Sequence, residues 1–437
     1  MHIAIVTAGG AGMFCGSCMH DNTWARALAS QGAEVTLIPA YTPIRVDEDD
    51  LSRHPIFFGG INVYLEHRLP FWRKIPRALT RPLDAPWVIN LATRFAVSSD
   101  AKRLGSLTVA MLNGESGPHR REVAELVDFL TRQITPDAIC FSNALLVGSL
   151  RSLRQIFSGP IYCVLQGDDI FLEQLAEPHR SQSLALIEQR ARDFDGFLVH
   201  SAYYRDFMSD YLNLPIERFH LIPLGIDVQG HAPQPPAAVN SSSKDDSTFT
   251  VGYFARVCHE KGLHRLVEAF RLLHSEFPNT RLRAGGYLGK ADRAYFRAIE
   301  RSARDLGDSF EYIGSPTDRA AKVAFLQSLD VLSVPTVYRE PKGLYVLEAM
   351  ANGIPVVQPR HGAFPEMIAA TGGGLLVDPD DSHALARGLK ELLLDPQRRL
   401  ALGAAGHAAV RARFDLATMA RASLDVFEQG LIASPTA

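Results

Sequence analysis

Nowhere in the 437 residues does an apolar run reach the length needed to cross a bilayer. Net charge is also scarce: 45 Lys and Arg stand against 48 Asp and Glu, a formal balance of -3. That balance gives no general pull toward nucleic acid, so any anion site must be local. Cysteines number only five, which argues against a disulfide framework and fits reduced thiols. The opening Met1-His2-Ile3 has no basic start and no small-residue cleavage site follows. No signal peptide is read there, and the chain is expected to be cytoplasmic. No short-period repeat is present.

What is there is the composition of a globular protein, 46% hydrophobic and 21% charged. The length exceeds one ordinary core, so two domains are expected. Ile3 to Val6 reads as a buried strand, followed by glycines at 9, 10, 12 and 16. Asp21-Asn22-Thr23 is expected to cap a helix carrying Trp24, Ala27 and Leu28, which Gly32 stops before a strand at Val35 to Ile38. Further strands are read at Ala138–Phe141, Tyr162–Leu165, Phe197–Val199 and Phe219–Pro223. A second series follows at Phe249–Phe254, Arg281–Ala284, Val331–Val334, Pro355–Val357 and Gly374–Val377, with an amphipathic helix over Leu263–Ser275. Strands alternating with helices imply an α/β chain of doubly wound, Rossmann-like parallel sheets. Between the two series, 228–248 is rich in Pro and Ser and reads as a linker. The domains are therefore placed at 1–227 and 249–414, with a C-terminal helix over 415–437 completing the first. Two such domains are expected to face each other across a cleft, with ligands beyond the carboxyl ends of the strands.

The segment Glu340-Pro341-Lys342-Gly343-Leu344-Tyr345-Val346-Leu347-Glu348 holds two carboxylates eight positions apart. A helix is expected to start near Leu344. Backbone N–H groups at a helix start, aided by its dipole, suit a diphosphate, and Gly343 lets the backbone approach closely. Glu348, about one turn in, suits ribose hydroxyls, and Glu340 suits a sugar. The plainer reading of such a pair is a solvated helix face with an acid beside it. Arg256 and Lys261, five apart, fall on the loop after the first strand of the second domain. A bidentate guanidinium and a compact ammonium suit a diphosphate and the charge it gains on leaving, the work of a divalent metal elsewhere. Ordinary surface cations are the plainer reading.

These segments together resemble family 4, or group 1, of the retaining glycosyltransferases. Glu340 and Glu348 match the E-x7-E motif. Ala351-Asn352-Gly353-Ile354-Pro355-Val356-Val357 and Gly362-Ala363-Phe364-Pro365-Glu366 match the segments that follow it. Arg256 and Lys261 keep the family's spacing, with Gly262 after them. Ile222-Pro223-Leu224-Gly225-Ile226-Asp227 is similar to the family's hinge approach, with Leu224 in place of Asn. The resemblance implies a GT-B fold. It implies transfer of a sugar from a nucleotide-diphosphate donor to a hydroxyl acceptor, glycan, lipid-linked or small molecule, with retention of anomeric configuration. It implies no metal and no cofactor beyond the donor. It assigns catalysis to Glu340, Arg256 and Lys261, and donor binding to these three with Lys342, Gly343, Leu344, Tyr345 and Glu348. Lys342 stands where the family often has Phe. Gln166-Gly167-Asp168-Asp169 stands where relatives often have His-Gly-Asp or His-Gly-Glu, and Cys140-Phe141-Ser142-Asn143 also lacks a His that the family usually carries.

Three features stay open. Gly10, Gly12, Gly16 and Ser17 suit an acceptor or phosphate loop, or a plain turn. Cys15-Gly16-Ser17-Cys18 with His20 suits a redox pair, although one such pair does not make a structural zinc site. Arg68, Phe71, Trp72, Arg73, Lys74, Arg77, Arg81 and Trp87 interleave cations with aromatics. They suit peripheral contact with the inner membrane face, and a lipid-linked acceptor, or a solvated loop with a few buried rings. A sugar-nucleotide epimerase and a non-catalytic nucleotide-sugar-binding protein are the rival functions.

Overall fold

The computed structural model describes residues 1–9, 16–44, 46, 48–52, 57, 58, 75, 101–233 and 248–433. The chain divides into two compact units, Met1–Pro223 with Ala417–Ala437, and Leu224–Leu416. Among the described residues no helix is long and apolar enough to cross a membrane.

The first unit is built on six parallel strands: β1 (His2–Thr7), β2 (Glu34–Pro39), β3 (Ala138–Phe141), β4 (Ile161–Val164), β5 (Gly196–Val199) and β6 (Phe219–Leu221). Their order is β2-β1-β3-β4-β5-β6. Ile3 to Val6 are all inaccessible, the pattern of a strand covered on both faces, which is why the run is apolar rather than alternating. The helix Leu416–Ala433 completes this unit. Trp24 Nε1 donates to Ser423 Oγ at 2.9 Å, its ring lies 6.0 Å from that of Phe427, and Tyr162 OH donates to Val426 O at 3.1 Å.

One expectation for this unit fails. The first helix runs Gly16–Ser30, so Gly16 and Ser17 are helical rather than part of a loop, and Asp21-Asn22-Thr23 lie inside the helix rather than capping it. Asp21 and Asn22 are fully buried because tertiary partners satisfy them. Thr7 Oγ1 and Gln166 Nε2 donate to the two Asp21 oxygens at 2.6 and 2.8 Å, and Asn22 bridges to Asp49 O and Leu51 N. A side chain so occupied no longer competes for its own backbone. Gly10, Gly12, Cys15 and the cations and aromatics of 68–87 lie outside the described residues. Cys18, Cys140, Cys163 and Cys258 are buried.

The second unit carries β7 (Phe249–Phe254), β8 (Thr280–Gly285), β9 (Phe310–Tyr312), β10 (Val331–Leu332), β11 (Val356–Pro359) and β12 (Gly374–Val377), again all parallel. The order is β12-β11-β10-β7-β8-β9. The helix Leu263–Glu276 buries Leu263, Leu266, Val267, Phe270 and Leu273, a 3.6-residue stripe that faces the core. The chain steps outward from β7 to β9, then crosses back to lay β10 on the other side of β7. Loops leaving the carboxyl ends of β7 and β10 therefore part in opposite directions, and the crevice between them is where such sheets bind ligands. Of the stretch 228–248, the first six residues and Thr248 are described. Arg319 donates to Asp227 O and Gln229 O, Gln327 to Ala232 O, and Arg411 to His231 O, so 227–232 is bonded along the second unit.

Candidate active site

The loop after β7 is shaped by its own backbone. Tyr253 OH donates to Arg256 O at 3.0 Å, and Val257 N to Tyr287 O at 2.8 Å. A tight turn at His259–Lys261 ends on Gly262, whose φ of 72° no L side chain adopts easily. Val337 N donates to Glu260 O at 2.9 Å, which ties this loop to the one after β10. That second loop runs to Gly343, also left-handed at φ 78°, where the helix Leu344–Ala351 begins.

Between the two loops lies a compact ionic cluster. Lys261 Nζ donates to Glu340 Oε2 and to Tyr338 OH, both at 2.6 Å. Tyr338 OH and Tyr345 OH each donate to the same Glu340 oxygen at 2.8 Å. The ammonium lies 5.0 and 5.1 Å from the Tyr338 and Tyr345 ring centres, within cation–π range. Glu340 is only 4% exposed. Burial pushes its carboxyl up, but the Lys261 charge and the hydrogen bonds from Lys261, Tyr338 and Tyr345 outweigh this and hold it below the usual range. Burial, then the Glu340 charge, pushes both tyrosines well above theirs, so they stay donors.

A pH dependence follows. With a folded pKa below the unfolded value of about 4.3, the Glu340 carboxylate adds stability fully present above that pH and lost as pH falls through the folded value. Urea midpoints of wild type and Glu340→Gln, compared from about pH 6.5 to about pH 3, are expected to converge on acidification. A gap that does not change with pH shows that the charge of Glu340 is immaterial to folding.

Of the other sequence-derived site residues, Lys342 is 7% exposed and its N–H reaches Glu340 Oε1 at 3.5 Å. Leu344 is the first residue of its helix, and Arg256 is exposed beyond β7. Glu348 stands apart from the Lys261 cluster in its bonding. Its Oε1 accepts from Lys322 Nζ at 2.9 Å, and Lys322 is 5% exposed. The structure thus joins Lys261, Glu340 and Tyr345 in one cluster and ties Glu348 into a second. Sequence reasoning missed Tyr338 and Lys322. The signal for Lys322 was a single lysine in the apolar run Ala320-Ala321-Lys322-Val323-Ala324-Phe325-Leu326; Tyr338, two residues before the first acid, gave none.

Residues 236–408 match the family model for glycosyl transferases group 1. The chain is 25% identical over 410 residues to a D-inositol 3-phosphate glycosyltransferase of Corynebacterium kroppenstedtii, covering 86% of each. It is 30% identical over 197 residues to a GDP-mannose-dependent alpha-(1-6)-phosphatidylinositol monomannoside mannosyltransferase of Mycolicibacterium smegmatis, covering 42% of this chain and half of that protein. In backbone it is similar to a sucrose-phosphate synthase from Thermosynechococcus elongatus, with TM-score 0.72, 20% identity, and coverage of 99% of this chain and 100% of that one. It is also similar to Anabaena HepE in complex with UDP, with TM-score 0.67, 17% identity, and coverage of 98% and 100%. The fold is that of GT-B glycosyltransferases, and the epimerase alternative finds no support among these proteins.

Proposed function

We propose that this chain, a glycosyltransferase whose residues 236–408 match the group 1 family model, moves a sugar from a nucleotide-diphosphate donor to a hydroxyl acceptor with retention of configuration and without a metal. The acceptor oxygen attacks the anomeric carbon on the face the diphosphate leaves. The bond from that carbon to the diphosphate breaks as the new one forms, and the acceptor proton passes to the departing phosphate oxygen. Lys261 and Arg256 supply the positive charge that this oxygen needs. An ammonium has three donors, of which the Lys261 cluster uses two, so one remains for a phosphate. Backbone N–H groups at Leu344 and Tyr345 add the helix-start contribution, Glu340 orients the sugar, and Glu348 takes the ribose hydroxyls. The setting is cytoplasmic in this reading. Relatives named for inositol phosphate and phosphatidylinositol acceptors make polyols and their phosphates the first acceptors to try.

The observation that carries the reading is the Lys261–Glu340 cluster, placed between the loops after β7 and β10 and beside a helix start. Calorimetry with UDP, GDP and ADP in the presence of a chelator tests it. One diphosphate is expected to bind at least about tenfold more tightly than its monophosphate, and Glu348→Ala to weaken it about tenfold, or ~1.4 kcal/mol. Absence of binding by all three sinks the donor site.

A further inference from the structure

We propose that Lys322 is a positioning residue for nucleotide binding, holding the Glu348 carboxylate in the one orientation that receives the ribose. The inference rests on the reading of Glu348 as the ribose contact and extends it to a residue outside the motif.

The helix Arg319–Gln327 carries Lys322 to the flank of the helix Leu344–Ala351. Lys322 Nζ donates to Glu348 Oε1 at 2.9 Å. The lysine side chain is 7% exposed and the glutamate side chain 16%, so the pair is shielded on the lysine side and open on the other. Among the described residues, no other side chain donates to this carboxylate. A free glutamate rotates broadly about its last torsion. A buried ammonium on one oxygen fixes that torsion and leaves the second oxygen for a hydroxyl, since a carboxylate accepts about four hydrogen bonds.

The two helices that carry the pair are themselves tied to the segment before the second unit's first strand. Arg319, three residues earlier and so on the same helix face, is bonded to Asp227 O and Gln229 O and pairs with the Asp227 carboxylate at 3.3 Å. Asn352, one turn after Glu348, donates to Glu348 O and to His231 Nδ1. Burial, then the charges of Arg319 and Lys322, pushes His231 down to about 4, so it stays neutral and adds no second cation beside Lys322. Lys322 is thus the cation whose ammonium bonds the Glu348 carboxylate, at 2.9 Å.

A merely structural ion pair and a positioning one differ in what they do to ribose recognition. The probes are whichever of UDP, GDP and ADP binds best and its 2′,3′-dideoxy counterpart, measured by calorimetry on the full chain. Wild type is expected to prefer the ribose form by about tenfold, the scale of a charge-assisted hydrogen bond. Lys322→Met is expected to shrink that ratio below about threefold while moving the dideoxy affinity less than about twofold. A ratio unchanged in Lys322→Met overturns the proposal. So does an equal loss for both nucleotides, the mark of general disruption. Because a half-buried carboxylate left without its partner endangers folding, Lys322→Met is also made in Glu348→Gln, where no charge is stranded. There it is expected to change the ratio no further, and an additional loss beyond about threefold shows that Lys322 acts without Glu348 and overturns the proposal. A wild type that binds both nucleotides alike overturns the ribose reading at Glu348, and this inference with it.

Discussion

Lys261→Met is expected to lower kcat/KM by about a thousandfold while also costing ~3–5 kcal/mol of stability. The two effects have one origin. In the proposed reaction Lys261 donates to the departing diphosphate, and removing one such preorganised donor costs about 10²–10³ in rate. It is also the counter-ion of Glu340, which is 4% exposed and draws its low pKa largely from that ammonium. Without it the carboxylate keeps two tyrosine donors and no positive partner. The double variant Lys261→Met/Glu340→Gln separates the two. Losing both charges, it is expected to recover most of the thermal stability and none of the activity. Activity within about tenfold of wild type in Lys261→Met would remove this lysine from the catalytic account.

Gly262→Ala is expected to destabilise by more than ~3 kcal/mol and to abolish donor binding. A Cβ at this position would stand 1.8 Å from Pro335 O, with φ at 72°. The obstacle is backbone on the loop after β10, so no side chain can swing aside. Either the turn that presents Lys261 opens, or the loop carrying Tyr338 and Glu340 retreats; both pull the ionic cluster apart. Gly314→Ala is the control, because its φ is 76° but nothing lies within 4 Å of the added carbon. It isolates the left-handed cost alone, about 1–2 kcal/mol. Equal melting losses in the two variants would mean that the contact with Pro335 is soft.

Much of the scaffold was legible because buried parallel strands leave continuous apolar runs. Ile3–Val6 and Phe249–Phe254 were read this way. β9 was not, since Phe310-Glu311-Tyr312 is three residues at a sheet edge with an exposed glutamate in the middle. The start of the first helix was misplaced because Asp21, Asn22 and Thr23 are good caps, and only the folded chain supplies Thr7 and Gln166 to occupy Asp21 instead. In the site, Glu340, Lys261 and Gly343 were visible as a spacing. Their mutual contact was not, because Lys261 and Glu340 are 79 residues apart and meet only through the β7–β10 crossover. Lys322 has no motif to mark it. Its partner lies on another helix, 26 residues away.

The helix Leu416–Ala433 has a consequence for how the protein is made. Its residues cover Trp24 and Tyr162, side chains that leave the ribosome long before it does. Roughly 190 residues separate the two stretches of the first unit, about 10–40 s of translation at ~5–20 residues per second. The second unit, one unbroken stretch from Leu224 to Leu416, is whole before that helix emerges. Order of synthesis and order of completion are therefore reversed in this chain. The part translated first waits on a nascent tail for its last wall, with an indole and a phenol exposed to whatever chaperone attends it.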